Sequence, residues 1–372
     1  MTKARKTGLV WDERYAWVRQ ADLSEITIQG TMYEPWPSHE AAEPKRRIRN
    51  LLDASGLLRK LLEIDALMPS QEDLLRVHSA EYLDRLRDAS LAGGGEVGPR
   101  MFAFKTTWDL TRLAAGGAIA AVNAVLAGSV DNAYALIRPP GHHAVRDQGQ
   151  GFCYLGNVAI ACRWAQANMN VRKIAVVDWD AHHGNGTQAI FYDDPSVLTI
   201  SLHQDGAYPP DQGTIGENGS GAGFGYSLNI PLPAGSGHEA YLAACDRIVV
   251  PAVTKFQPDL IVVACGYDAG NSDHTARMTL HSESFRLMTR KVMAVADEVC
   301  GGKMVMIQEG GYNPMAVPFL ALAVFEELSG VRTNVLDPFL EPWRNVPGQT
   351  LQDYQAAYID RAQRRAEAIG RI

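Results

Sequence analysis

The sequence predicts an α/β fold organised on a parallel sheet. Three observations carry this. From Ala133 onward, short apolar runs alternate with longer segments of helical periodicity, the pattern of strand–helix–strand units. Runs such as Ile174-Ala175-Val176-Val177 are apolar at every position, as strands covered by helices on both faces must be. His, Asp and Tyr residues follow directly after several runs, where open α/β sheets bind their ligands.

The 372 residues are ample for a sizeable core, and the chain has no repeat, low-complexity tract or internal linker, so we read 1–372 as one domain. The net charge of −7 argues against nucleic acid as the main partner and is compatible with a cationic substrate. Five cysteines without a CxxC pair give neither a disulfide framework nor a zinc finger. Cys153, Cys162, Cys245, Cys265 and Cys300 sit in apolar surroundings and read as buried thiols of a reducing compartment, the cytoplasm. The N-terminal residues lack an apolar core of signal-peptide length. Leu113 to Val130 is the stretch most like a membrane span, but its Ala and Gly content, with Asn123 and Ser129, suits a close-packed core helix, so no membrane is expected.

In chain order, Thr7 to Trp11 reads as a first strand. Ala21 to Glu43 is irregular around Pro35, Trp36 and Pro37. A loop of that length is often functional, and it is expected to form a rim over a site or an oligomer contact. Pro44 to Leu52 starts a basic amphipathic helix whose charges form a solvated face. Ser70-Gln71-Glu72-Asp73 has the Ser-x-x-Asp form of a helix start. Gly93-Gly94-Gly95 reads as a flexible loop. Strands are predicted over Ala133–Ile137, Ile174–Val177, Val197–Leu202, Ser227–Ile230, Leu260–Ala264 and Met304–Ile307. The clearest helices between them are Glu239–Phe256 and Glu283–Val299. Within 351–372, Asp353 to Ile369 reads as a surface helix that could dock on a partner subunit in a homo-oligomer.

The stretch Val176 to Thr187, VVDWDAHHGNGT, carries the chemistry. In an extended backbone Asp178, Asp180 and His182 face one side, and Asp and His are ordinary zinc ligands. The other strand ends add His142 and His143 in RPPGHHA, His203, Asp268 in CGYDAG and Tyr312 in QEGGYNP. In a parallel sheet these ends share one edge. Five of the ten histidines lie between positions 142 and 203, which argues against scattered core histidines. Asp180, His182 and Asp268 can supply three ligands and leave a fourth position open. Zinc there lowers the pKa of a bound water to about 7 and polarises a carbonyl. His142 and His143 are the imidazoles available to move protons, and Tyr312 can donate a hydrogen bond to a developing oxyanion. Together these parts make a metal-assisted amide hydrolase.

RPPGHHA, GFCYLGN, VVDWDAHHGNGTQ and EGGY resemble the zinc-dependent histone deacetylase family, above all its class II branch and the bacterial deacetylase-like amidohydrolases. The resemblance runs from about Gly8 to about Val331. It implies the arginase–deacetylase fold, an eight-stranded parallel sheet flanked by helices, and hence a single deacetylase domain. It also implies that Asp180, His182 and Asp268 hold zinc, with Fe2+ as an alternative for such O/N/O ligands. His143 is then the general base, His142 its tandem partner on Asp178, and Tyr312 the tyrosine that polarises the carbonyl. Asn185 stands where class I members carry an acidic partner for the second histidine. A neutral partner there makes His143 less basic. Phe152 and Tyr208, with the Gly151 carbonyl beside them, match the walls of an acyl-lysine channel. The family also binds structural potassium. One site would lie near Asp178, Asp180, His182, Ser201 and Leu202, and a second near Phe191, Asp194, Val197 and Tyr226.

Two positions depart from the family's pattern. Tyr208 stands where Phe is common, and Asp273-His274-Thr275 replaces an Asp-Pro-Leu run, which makes the mouth more polar. The resemblance implies acylated lysine peptides or proteins, or small acylated amines, as substrates. Acetylpolyamine hydrolysis is the alternative within the family, and Thr275, at a gatekeeper position, is not acidic. A two-manganese guanidine hydrolase is rejected, because Gly184 and Gly270 stand where further carboxylates are needed. A silent acyl-lysine binder would be expected to have lost a ligand, a histidine or the tyrosine, and none is missing.

Overall fold

The computed structural model describes residues 5–21, 37–367 and 369. In chain order its strands are β1 (Thr7–Val10), β2 (Leu62–Ile64), β3 (Gly94–Gly98), β4 (Met101–Phe104), β5 (Asn132–Ala135), β6 (Ile174–Asp178), β7 (Val197–Gln204), β8 (Ser227–Leu232), β9 (Leu260–Cys265) and β10 (Met304–Gln308). Eight form one sheet in the order β2-β1-β5-β10-β9-β6-β7-β8, parallel at every pairing. The strands that carry the tandem histidines, Tyr312, Asp268 and the Asp178–His182 run are therefore neighbours, β5-β10-β9-β6, with their C-terminal ends on one edge. β3 and β4 form a separate antiparallel hairpin.

The sheet is buried on both faces. Ala175 and Val177 of β6 point into one apolar cluster, Ile174 and Val176 into the other. The first face is covered by the Glu43–Ala54, Ser282–Cys300, Val317–Ser329 and Asp353–Ala366 helices, and by a helical run over His238–Phe256. That run is interrupted by a π-turn at Cys245–Val249. The turn stands just ahead of Pro251, whose missing N–H breaks the regular ladder. The second face is covered by the Ala80–Leu91, Thr107–Leu126 and Asn157–Asn168 helices. Thr107–Leu126 is long and apolar enough to span a membrane, but it lies mostly buried inside the fold. Gly116 and Gly117 allow that close packing. A Cβ at Gly116 would stand 1.6 Å from the Leu67 carbonyl, and one at Gly117 2.3 Å from the Tyr15 hydroxyl.

Other expectations hold or fail for local reasons. The Ser70 hydroxyl and Asp73 carboxylate cap the Gln71–Leu75 helix reciprocally. All five cysteines are free and buried. Gly94 and Gly95 are not a flexible loop. They pair with Phe104 and Ala103 as the start of β3. Lys45 is not on a solvated face either: it is buried and pairs with the buried Glu40 at 3.1 Å. The C-terminal helix buries Gln355, Ile359 and Ala362 against its own chain, so its apolar face is already covered. The expected rim at 21–43 lies mostly outside the described residues.

Candidate active site

The site begins where β6 ends. Asp178 is the last strand residue, and its Oδ1 accepts the Asp180 N–H at 3.0 Å. Asp180 Oδ1 in turn accepts the His182 N–H at 2.9 Å. Two successive side-chain-to-backbone turns thus gather the three residues, not the side alternation of a strand. Asp268, beyond β9, accepts the Ala181 N–H at 2.8 Å. Gly310, beyond β10, donates to Asp180 Oδ2 at 2.8 Å. Buried carboxylates therefore tie three loops together as they define the site.

Ligand atoms of Asp180, His182 and Asp268 all lie within 4.8 Å of one another. His182 Nδ1 stands 3.1 Å from Asp180 Oδ1 and 2.9 Å from Asp268 Oδ2. Its Nε2 donates to the Thr275 carbonyl at 3.3 Å, which leaves Nδ1 with a lone pair toward the carboxylates when the ring is neutral. Burial works against a charge on His182, but its bonds to Asp180 and Asp268 hold its pKa well above the ordinary value. Burial and then the Asp180 carboxylate push the Asp268 carboxyl up to about 7. Among the described residues, no lysine or arginine pairs with either carboxylate. The arrangement is short of positive charge. A Cβ at Gly310 would fall 2.4 Å from Asp268 Oδ2 and 2.6 Å from Asp180 Oδ2, so glycine keeps that space clear. Buried O, N and O donors beside a cleared space fit a divalent ion.

The tandem histidines stack with ring centroids 3.9 Å apart but differ in partner. His142 Nδ1 donates to Asp178 Oδ2 at 3.0 Å, and His143 Nδ1 donates to Asn185 Oδ1 at 2.8 Å. Burial opposes charge on His142, yet Asp180, Asp178 and Glu309 outweigh it and raise its pKa to about 10. For His143, burial and then the neighbouring His142 and His182 drive the pKa well below the ordinary value. Asn185 adds no charge to oppose them. The two adjacent imidazoles are therefore pushed in opposite directions, His142 toward the charged form and His143 toward the neutral one.

Tyr312 follows Gly310 and Gly311, and its N–H donates to Asp273 Oδ2 at 2.7 Å. Burial, then Asp180 and Asp268, hold its phenol pKa well above 10, so the hydroxyl stays protonated. His143, His182 and Tyr312 line a cavity of about 210 Å3 together with Gly151, Phe152, Tyr208 and Thr275. The Phe152 and Tyr312 ring centroids are 5.8 Å apart, and Tyr208 meets His143 edge-on at 4.9 Å. Gly151 has φ +55°, and a Cβ there would strike the His143 ring at 2.4 Å. Phe152 is itself left-handed at φ +68°, with its carbonyl held by Gln20 Nε2 at 2.8 Å.

His203 does not reach this group. β7 continues to Gln204, so His203 is a strand residue, bonded to Ser201 Oγ at 2.9 Å and the Gly213 carbonyl at 3.0 Å. Gly184 leaves no room for the carboxylate of a two-metal site, since a Cβ there would lie 2.2 Å from Asp178 Oδ2. Of the expected potassium residues, Ser201 pairs with Asp178 across the β6–β7 register, next to Leu202. Phe191, Asp194 and Val197 share one loop, where the Phe191 carbonyl accepts the Asp194 N–H and the Asp194 carbonyl the Val197 N–H. The Tyr226 carbonyl accepts the Thr199 N–H nearby.

Several neighbours escaped the reading of the sequence. Glu309 accepts the N–H groups of Gly141 at 2.7 Å and His142 at 3.1 Å, which fixes the tandem-histidine loop to β10. Its signal was present, a carboxylate directly after a buried strand. Arg138 of RPPGHHA bonds Glu40 and the carbonyls of Tyr15 and Val18. Lys45 Nζ stands 5.2 Å from the Tyr312 ring centroid. Pro99, Arg100 and Met101 of the β3–β4 hairpin complete the cavity lining.

A model of the histone deacetylase domain matches residues 39–328. The chain is 47% identical over 371 residues to a histone deacetylase-like amidohydrolase of Pseudomonas aeruginosa, covering 98% of this chain and 95% of that one. It is 38% identical over 337 residues to a probable deacetylase of Archaeoglobus fulgidus, covering 87% and 86%. Among solved structures, the HDA15 HD domain superposes with a TM-score of 0.84 at 30% identity, covering 97% of this chain and 94% of that one.

Proposed function

The chain belongs to the histone deacetylase family and is an amide hydrolase of that kind, and from this premise we propose that it removes acetyl or other acyl groups from lysine side chains with a zinc ion held by Asp180, His182 and Asp268. One observation carries the reading. His182, clustered with Asp180 and Asp268, lines one cavity with aromatic walls together with the imidazole of His143 and the protonated phenol of Tyr312. Zn2+, or Fe2+ on the same donors, would supply an acidified water and polarise the amide carbonyl.

The chain's own residues do the rest. His143, with Nδ1–H fixed on Asn185, takes a proton at Nε2 and later delivers one to the leaving amine. His142, held on Asp178, stays protonated and keeps His143 from charging prematurely. Tyr312 donates its hydroxyl proton in a hydrogen bond to the carbonyl oxygen as negative charge gathers there. Phe152 and Tyr208 flank a slender aliphatic chain and exclude water beside it. In the same reading residues 1–372 are one deacetylase domain. Structural potassium sits by Asp178 and Ser201 and by the Phe191–Val197 loop, and the free thiols suit the cytoplasm.

The test is a rate comparison on one metal-loaded preparation, with acetyl-lysine peptides, longer acyl-lysine peptides and acetylpolyamines. The expected result is fastest turnover of an acyl-lysine peptide. Fastest turnover of an acetylpolyamine would move the assignment to small acylated amines. Binding of every substrate with hydrolysis of none would make the protein an acyl-lysine binder.

A further inference from the structure

The outer end of the cavity carries a charge that the mechanism above does not use. His143, His182 and Tyr312 form its buried floor, whereas Pro99 and Arg100 are exposed and stand at its mouth. Among the described residues, Arg100 forms no hydrogen bond or ion pair, and no Asp or Glu lines the cavity. The chain as a whole is acidic, at −7, yet among the described residues that line the cavity there is a guanidinium and no carboxylate. Arg100 therefore places at the entrance a charge opposite in sign to the chain's net charge, and a local charge is what an entering substrate meets.

Arg100 is also held in place. It is the second residue of the Pro99-Arg100 turn that joins β3 to β4, with Gly98 paired to Met101. Its φ is +58°, at a turn position after proline where glycine is favoured. A left-handed arginine is a costly choice that points to a use for the side chain. The hairpin is locked to the channel wall. Gly149 N–H donates to the Val97 carbonyl at 3.3 Å, and the Tyr154 hydroxyl donates to the Phe102 carbonyl at 2.7 Å. Gly149 and Tyr154 bracket Gly151 and Phe152, so the cation rides on the same rigid unit as the wall. Its field reaches the Tyr208 phenol opposite, where Arg100 favours the ionised form against the effect of burial.

We propose that Arg100 is a specificity-determining residue, which favours acyl-lysines with a carboxylate one or two positions away in the carrier peptide and disfavours polycationic carriers such as acetylpolyamines. The proposal rests on the deacylase reading, because the acyl group must lie at the floor for its carrier to lie at the mouth. An exposed cation acts through a partly screened field, so the effect is one of selection among carriers.

The test uses the metal-loaded full chain, as wild type, Arg100→Gln and Arg100→Glu. Two acetyl-lysine peptides of equal length, one flanked by Asp and one by Lys, are compared by kcat/KM, with an acetylpolyamine as a third substrate. Their ratio does not depend on how much of a preparation is active. Wild type is expected to favour the Asp-flanked peptide by about three- to tenfold, carried by KM and shrinking toward one at about 0.5 M salt. The ratio should fall close to one in Arg100→Gln and invert in Arg100→Glu, which should also gain relative rate on the acetylpolyamine. An unchanged ratio across the three proteins overturns the proposal. If no protein hydrolyses either peptide, the deacylase reading fails. The Kd ratio of the fluorescein-labelled peptides, measured by anisotropy on the same proteins, then decides on Arg100 by the same pattern. Binding of neither peptide overturns both.

Discussion

His142 and His143 are adjacent in sequence and opposite in character, because one faces the carboxylate of Asp178 and the other the amide of Asn185. Residue chemistry of this kind is open to direct test. Tyr312→Phe removes one hydroxyl and no ligand. It is expected to keep full metal content by elemental analysis and to lose on the order of 10²-fold or more in turnover. Unchanged turnover removes the oxyanion role. Asp268→Ala deletes one of three donors and the anchor of Ala181, and the purified protein is expected to carry little metal; full occupancy would refute the assignment. At this scale the sequence was informative where a residue's chemistry is rare. Paired Asp and His at strand ends have few structural uses, so Asp178, Asp180, His182 and Asp268 stood out. Glu309, Glu40 and Lys45 did not, because a single charged residue in sequence looks solvated. What buries them is contact with segments up to about 170 positions away.

At the scale of elements, buried strands and long helices were legible because their apolar period is a local property. The runs after Ala133 became β5 to β10 with shifts of one or two residues at their ends. The exceptions are elements defined by a partner. Gly94 and Gly95 have poor strand propensity, and only Phe104 and Ala103 across the hairpin make them β3. The Asp178–His182 run looked like strand alternation but is a pair of turns, because its carboxylates bond nearby backbone N–H groups instead of continuing the ladder. The Thr107–Leu126 helix shows the reverse case, a local cost explained only by a distant contact. Glycine in mid-helix costs about 1 kcal/mol against alanine. Gly116→Ala should nevertheless lower stability, by about 1–3 kcal/mol in a denaturant melt, because the added methyl meets the Leu67 carbonyl. A more stable variant would show that the 62–70 segment yields.

For the whole molecule, pH tests how firmly the parts are joined. His78 accepts the Gly156 N–H at Nε2, 3.0 Å away, and its Nδ1 donates to the Arg146 carbonyl at 3.3 Å. It links the Gln71–Leu75 region to the loop that carries Phe152. Burial pushes its pKa down to about 4 from 6.5. The folded state then binds fewer protons than the unfolded state between those values. This contribution is fully present above pH 6.5 and is lost as pH falls toward 4, up to about 3 kcal/mol. In urea melts from pH 7 to 4.5, His78→Gln is expected to show a shallower loss of stability than wild type. Equal slopes would place the acid sensitivity elsewhere.

By itself the sequence determined the α/β class and most of the buried strands, and it singled out the Asp180, His182 and Asp268 cluster and the tandem histidines, since apolar period and side-chain chemistry are written residue by residue. It also carried the family. Only the tertiary structure decided which charges are buried, that His203 stays out of the site, and that Arg100 of an acidic chain lines the cavity without an ion-pair partner among the described residues. Those outcomes depend on which distant groups come within a few ångströms, and a one-dimensional pattern holds no distances.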